Sequence, residues 1–317
     1  MPSQANQPLP DGYQIENYRI ASVLSCGGFS IVYLAYDERD QPVAIKEYLP
    51  SHLALRREGD ALPSITAEHA ATFRYGLKCF FEEGRSLARL SHPNIVRVLN
   101  FFRANETVYL VMRYERGRTL QEHIQARRGK LSENFIRHVF AQLLNGLRDV
   151  HSNKLLHLDI KPANIYVRND GTPVLIDFGA ARQTLAEQGH GKMLRPMYTP
   201  GYAPPEQYRD RAWLGPWSDI YAVGATIHAC LAGMAPQPAD RRLEEDRYQS
   251  ATRQWAGRYS RHLLETIDWC LELDYLRRPQ SVFVLQKVLL REKDPVVHHR
   301  ASLFGDMRGR LLRFAGL

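Results

Sequence analysis

Val43-Ala44-Ile45-Lys46 sets a single lysine at the end of an apolar strand, where a cation stands among apolar neighbours. Upstream, Leu24-Ser25-Cys26-Gly27-Gly28-Phe29-Ser30-Ile31-Val32 is a turn of small residues between two strand-like runs. Such a turn lets backbone N–H groups come close to phosphate oxygens. Far downstream, His157-Leu158-Asp159-Ile160-Lys161-Pro162-Ala163-Asn164 and Asp177-Phe178-Gly179 enclose a short hairpin. Asn164 and Asp177 carry hard oxygen donors of the kind magnesium requires. Asp159, two residues from Lys161, can take a proton from an attacking hydroxyl while the lysine faces developing phosphate charge. The chemistry these side chains suit is the handling of a phosphorylated ligand and a divalent cation.

Groups so far apart in sequence need a fold to bring them together. From Tyr18 to Lys46 short apolar runs alternate with turns at Gly27-Gly28 and Asp37–Gln41, which predicts antiparallel strands. Phe73, Leu77, Phe80, Phe81, Leu87 and Leu90 recur at helical spacing, and Val96–Phe102 and Thr107–Tyr114 return to strand. Beyond Gly117 the helical period dominates: Leu131–Val150, Asp219–Leu231 and Arg261–Leu273. Ile165–Val167 and Val174–Ile176 form a hairpin about Asn169-Asp170-Gly171. The fold class is therefore α+β and two-lobed, a small antiparallel β-sheet lobe with one long helix followed by a larger, mainly helical lobe. A cleft between lobes is a natural small-ligand site.

The 317 residues, 44% hydrophobic and 24% charged, suffice for a large folded core. The polar start lacks the cationic and apolar regions of a signal peptide. The apolar stretch Ala222–Ala235, broken by His228, is too short to span a bilayer and reads as a buried helix. Cys26, Cys79, Cys230 and Cys270 show no metal or redox spacing, which predicts free thiols and a cytoplasmic location. The net charge of +8 is dispersed without an aromatic-interleaved basic stripe, so nucleic acid is not expected as a partner.

Taken in order, VAIK, HLDIKPAN, DFG and Thr199-Pro200-Gly201-Tyr202-Ala203-Pro204-Pro205-Glu206 resemble the signature set of the bacterial eukaryotic-like (Hanks-type) serine/threonine protein kinases, over about residues 17 to 292. The resemblance implies a kinase N-lobe over 17–112, a hinge and C-lobe over 113–292, a disordered leader 1–16 and a basic tail 293–317. It implies ATP and Mg²⁺ as cofactors and a protein substrate with a Ser/Thr acceptor. By it, Asp159 is the catalytic base and Lys161 its γ-phosphate partner, with Thr199 beside them in the loop that receives the substrate. Lys46 holds the α/β-phosphates and pairs with Glu83, and Asn164 and Asp177 bind the metal. Ser25, Gly27 and Gly28 approach the phosphates, and Val32 and Ala44 cover the adenine. Met112 is the gatekeeper, Arg113 and Tyr114 belong to the hinge, and Tyr166 takes the adenine-floor position. Glu206 pairs with Arg278, Asp219 caps the central helix, and Leu87, Val98, His157 and Phe178 form the hydrophobic spine. A cognate phosphatase or a secretion-system component is the partner that family association suggests.

The departures from the pattern carry expectations of their own. Ser25 and Ser30 replace the outer glycines of the Gly-rich turn, and Cys26 within it offers a thiol to oxidants. Leu158 stands where an arginine usually grips an activation-segment phosphate, and Thr184 is the single hydroxyl between Gly179 and Tyr198. Together these predict activity without activation-loop phosphorylation. Ala163 replaces the glutamate of many base-directed kinases. The insert Glu47 to about Ala70 reads as a solvated loop before a docking surface, and the tail as packed or frayed before a lipid-binding helix. Two competing readings are a nucleotide-binding pseudokinase and a small-molecule phosphotransferase.

Overall fold

A computed structural model of the chain describes residues 6–178, 198–208 and 213–290. In chain order the strands of the first half are β1 (Gln14–Ile15), β2 (Tyr18–Cys26), β3 (Ser30–Tyr36), β4 (Pro42–Tyr48), β5 (Ala54–Leu55) and β6 (Ser64–Ile65). Then come the helix α1 (Ala67–Leu87) and the strands β7 (Val98–Ala104) and β8 (Thr107–Arg113). Six of them make one antiparallel sheet in the order β1-β2-β3-β4-β8-β7. Side chains alternate across each strand. In β4 this sends Ala44, Lys46 and Tyr48 to one face, where Tyr48 packs on Phe73 and Phe80 of α1. Val43, Ile45 and Glu47 point to the other. The two-lobed α+β reading holds, with the α1 helix packed on β7 and β8.

The second half continues with β9 (Gly117–Thr119), α2 (Leu120–Ala126), α3 (Glu133–Ser152), β10 (Ile165–Arg168) and β11 (Pro173–Leu175). Each helix start is chemically marked. Thr119 and Glu122 form a reciprocal cap on α2, and the Ser132 hydroxyl accepts from the Phe135 amide on α3. The expected hairpin is present, and β9 adds a third strand to it. Pro216–Ala232 is the central helix, started by a proline and ended by Gly233 at φ 82°, and its residues 218–231 are all buried. Helices Arg261–Cys270 and Val282–Leu289 pack around it. Among the described residues no helix is long and apolar enough to cross a membrane. The four cysteines are free thiols, with only Cys26 exposed.

Two expectations fail at the N-terminal end. The leader is not disordered over residues 6–16: β1 pairs with β2, and Leu9 is 1% exposed. The insert is not simply solvated either. Leu49, Leu53 and Ala54 join the core, β5 pairs with β6, and Arg56, expected on a surface loop, is fully buried. The reason is one buried carboxylate. Glu47, next to Lys46 but on the opposite face of β4, has no access to water, and a buried charge must be paired. Arg56 meets it with two bonds, 2.6 and 2.7 Å, while the Tyr33 and Tyr109 hydroxyls each donate to it at 2.7 Å. Gly179, Thr184 and the tail from 293 on lie outside the described residues.

Candidate active site

Asp159 and Lys161 follow α3 on a loop held from below by one carboxylate. Asp219, in the first turn of the central helix, accepts from the backbone N–H of His157 at 2.9 Å and of Leu158 at 2.7 Å. His151 lies 2.8 Å from the same carboxylate. Burial alone would raise the Asp219 carboxyl, but the bonds from His151 and the His157 amide outweigh it and hold it below the usual range. Asp219 thus braces the loop, which corrects the expectation of a helix cap; Gly215 occupies the cap position. Leu158 adopts φ 60°, a left-handed conformation that costs a non-glycine residue about 1–3 kcal/mol. The bonds on either side of it, from its own amide to Asp219 and from the Gln207 side-chain amide to its carbonyl at 2.9 Å, hold that shape.

The loop geometry converges on Asp159. Lys161 Nζ lies 3.1 and 2.9 Å from its two carboxylate oxygens, and the Thr199 hydroxyl donates to it at 2.8 Å while accepting from Lys161 at 2.9 Å. The Asn164 amide donates to the Asp159 carbonyl at 2.8 Å and to its carboxylate at 2.9 Å. With its Nδ2 engaged there, Asn164 has its Oδ1 to offer a hard cation. Asp177, across the hairpin from Asn164, also adopts a left-handed backbone, at φ 57°. One carboxylate and one amide oxygen suit magnesium, which usually takes few protein ligands and completes its shell with phosphate and water. Among the described residues no cluster of three or more His, Cys, Asp or Glu side chains could hold a metal by itself.

Lys46 reaches the same place from the other lobe. Lys46 is 4% exposed, and its ammonium is ion-paired with Asp177 and lies over the Phe80 ring at 5.7 Å. The ammonium thus meets the Asp177 carboxylate across the cleft, while Glu83 stands half-buried on α1.

The remaining expected positions fall around these groups. The turn Ser25–Gly28 is exposed at the edge of the sheet, and the Gly27 amide donates to the Ser30 carbonyl at 3.0 Å. Val32 and Ala44 are half-buried, and Ala44 pairs in register with Met112, the last buried residue before exposed Arg113 and half-buried Tyr114. Tyr166 is turned toward the hinge, its hydroxyl donating to the Gly117 carbonyl at 3.0 Å, and burial raises its pKa. Leu87, Val98, His157 and Phe178 are all buried, with the His157 and Phe178 rings 4.4 Å apart. Burial lowers the His157 pKa, so the ring is neutral at pH 7. Its Nε2 faces the Ile176 carbonyl at 3.2 Å and its Nδ1 accepts from the Asp159 amide at 3.2 Å, which assigns the proton to Nε2. Below the site, Arg278 meets Glu206 with two bonds of 2.8 and 3.0 Å, as expected. Sequence reasoning missed the bracing bonds from Asp219 and Gln207, since backbone acceptors and donors leave no motif.

The protein kinase domain family matches residues 18–290. Among curated relatives, the chain is 32% identical over 230 residues to the serine/threonine-protein kinase PknA of Nostoc sp., covering 69% of this chain and 38% of that protein. It is 31% identical over 281 residues to serine/threonine-protein kinase C of Synechocystis sp., covering 86% of this chain and 49% of that one. The chain therefore spans less than half the length of these two relatives. A solved structure described as the apo form of PpkA-294 superposes with a TM-score of 0.79 at 37% identity, covering 89% of this chain and 99% of that one. With the two-lobed fold and the signature residues gathered at one cleft, these matches place the chain in the protein kinase family, among the Hanks-type serine/threonine kinases of bacteria.

Proposed function

We propose that the chain transfers the γ-phosphoryl group of ATP to serine or threonine hydroxyls of protein substrates, itself included. The observation that carries this reading is the convergence of Lys46 and Asp177 with the Asp159–Lys161–Asn164–Thr199 cluster at a single cleft. ATP supplies the phosphoryl group, and Mg²⁺ neutralises its charge when bound by Asn164 and Asp177. Asp159 accepts or orients the proton of the acceptor hydroxyl, and the buried Asn164 amide fixes its carboxylate for that task. Lys161, already beside Asp159, is placed to stabilise charge that develops on the transferred group. Its bond to Thr199 links the catalytic loop to the substrate-receiving segment, an arrangement that suits a Ser/Thr acceptor.

Activity on this reading does not wait for phosphorylation of the activation segment. Leu158, 7% exposed, presents no guanidinium to a phosphate, and its loop is held instead by Asp219 and Gln207. Incorporation of labelled phosphate from ATP tests both parts. The wild type is expected to label itself, Asp159→Asn to bind ATP without labelling, and Thr184→Ala to remain active. Wild-type chain that binds ATP yet never labels itself or an added protein substrate is a pseudokinase. A folded, inactive Thr184→Ala overturns the phosphorylation-independent part alone.

A further inference from the structure

Both elements that the family resemblance assigns to the nucleotide phosphates, the Gly-rich turn and Lys46, are tied to one buried cluster behind the sheet. Gly28 and Phe29 do not end the ladder between β3 and β4. The Leu49 amide donates to the Phe29 carbonyl at 2.9 Å, and the Ser51 amide and hydroxyl donate to the Gly28 carbonyl at 2.9 and 3.2 Å. The first residues of the insert therefore grip the turn by its backbone. They are gripped in turn from the N-terminal segment, where the Asn6 side-chain amide donates to the Leu49 carbonyl at 3.1 Å. The Asn6 carbonyl oxygen of that side chain accepts from the Arg56 amide at 2.6 Å. Arg56 closes the circuit. It donates to the Gln7 carbonyl at 2.8 Å, accepts from the Gln7 amide at 3.1 Å, and holds Glu47, the neighbour of Lys46 in β4. Asn6, Glu47 and Arg56 are all buried, at 5%, 0% and 0% exposure.

We infer that residues 6–9 and 47–56 form a buttress that fixes the Gly-rich turn over the phosphates, with Asn6 and Arg56 as positioning residues for nucleotide binding. The inference rests on the proposed function for the identity of the ligand. The turn needs an external brace because its residues 23–28 are exposed and the adjacent Gly27 and Gly28 leave its backbone free to move. Neither Asn6 nor Arg56 reaches the cleft, since Glu47 and its partners occupy the face of β4 opposite Lys46.

Arg56→Ala leaves Glu47 buried without its cation and can simply unfold the lobe. The deciding variants are Asn6→Ala and the double exchange Glu47→Gln with Arg56→Met, which removes both charges together. In the 317-residue chain, each is expected to raise KM for ATP about fivefold, the equivalent of one lost hydrogen bond, while kcat stays within a factor of about two. Hydrogen exchange at the Leu49 and Ser51 amides should quicken in step, with the β4–β8 ladder still protected. Unchanged KM and unchanged exchange in a folded Asn6→Ala overturn the inference, as does a parallel fall of kcat and melting temperature with KM constant. A wild type that binds no ATP sinks the kinase reading instead, and the exchange rates at those two amides then still decide whether the buttress holds the turn.

Discussion

At the scale of single residues, Thr199 shows most clearly how the site is pre-arranged. Its hydroxyl both donates to Asp159 and accepts from Lys161, so one small side chain ties down both members of an ion pair already in contact. Truncation to alanine removes two hydrogen bonds to charged groups and leaves the pair free to shift. A hydrogen bond to a charged group is worth about 1.5–3 kcal/mol, so Thr199→Ala should lower kcat roughly 10- to 100-fold with KM for ATP little changed. Thr199→Ser, which keeps the hydroxyl, should restore most of the rate. Steady-state kinetics on the three proteins checks this; an unimpaired alanine variant removes Thr199 from the machinery. Two of the left-handed non-glycine residues, Leu158 and Asp177, flank the same cluster. Asp219 and Gln207 on one side and the Lys46 pair on the other help hold the backbone in these strained conformations.

At the scale of elements, the sheet, the long α1 helix, the hairpin and the central helix were legible because their periodicities and turn residues agree with the final packing. What escaped was set by burial between distant segments. Arg56 sits in the polar run Arg56-Arg57-Glu58-Gly59-Asp60 and resembles its exposed neighbours in every local respect. The available signal was Glu47, since strand alternation sends it to the face opposite Lys46, where an apolar strand would bury it and demand a cation. The Lys46–Asp177 pair escaped for a different reason: sequence spacing fixes which residues can meet, while the cleft geometry brings the Asp177 carboxylate to the ammonium. The Glu206–Arg278 pair was legible and anchors the segment after the substrate-receiving loop. Arg278 also donates to the carbonyls of Glu272, Trp217 and Leu273, lies over the Tyr221 ring at 4.8 Å, and shares Glu206 with the Ser218 hydroxyl at 2.8 Å. Arg278→Ala strands a buried carboxylate and should cost about 3–5 kcal/mol, whereas Glu206→Gln with Arg278→Met, which strands none, should cost distinctly less. Urea unfolding of both variants makes the comparison, and equal losses would show that packing rather than charge pairing holds this corner.

At the scale of the whole molecule, buried histidines couple stability to pH. His228, inside the central helix, packs edge-on against Trp255 at 5.1 Å, and its Nδ1 has no hydrogen-bond partner among the described residues. Burial pushes its pKa down to about 4 from 6.5, and burial lowers His157, His92 and His123 in the same direction. A histidine kept neutral in the folded state takes up a proton on unfolding once the pH drops below its free value. Its contribution is therefore fully present above about pH 6.5 and is lost as the pH falls toward the folded value. For His228 the loss between pH 7.5 and pH 5 comes to about 2 kcal/mol. The lowered carboxylates Asp219, Glu133 and Asp246 act in a second, more acidic window, since their stabilisation disappears only below the ordinary carboxylate range. The two windows separate the causes experimentally. His228→Phe keeps a ring against Trp255 but cannot titrate, so its unfolding free energy should fall by about 2 kcal/mol less than that of the wild type between pH 7.5 and 5, and follow it below pH 4. Urea titrations across that range decide it: profiles that run parallel from pH 7.5 to 5 would assign the acid sensitivity to groups other than His228.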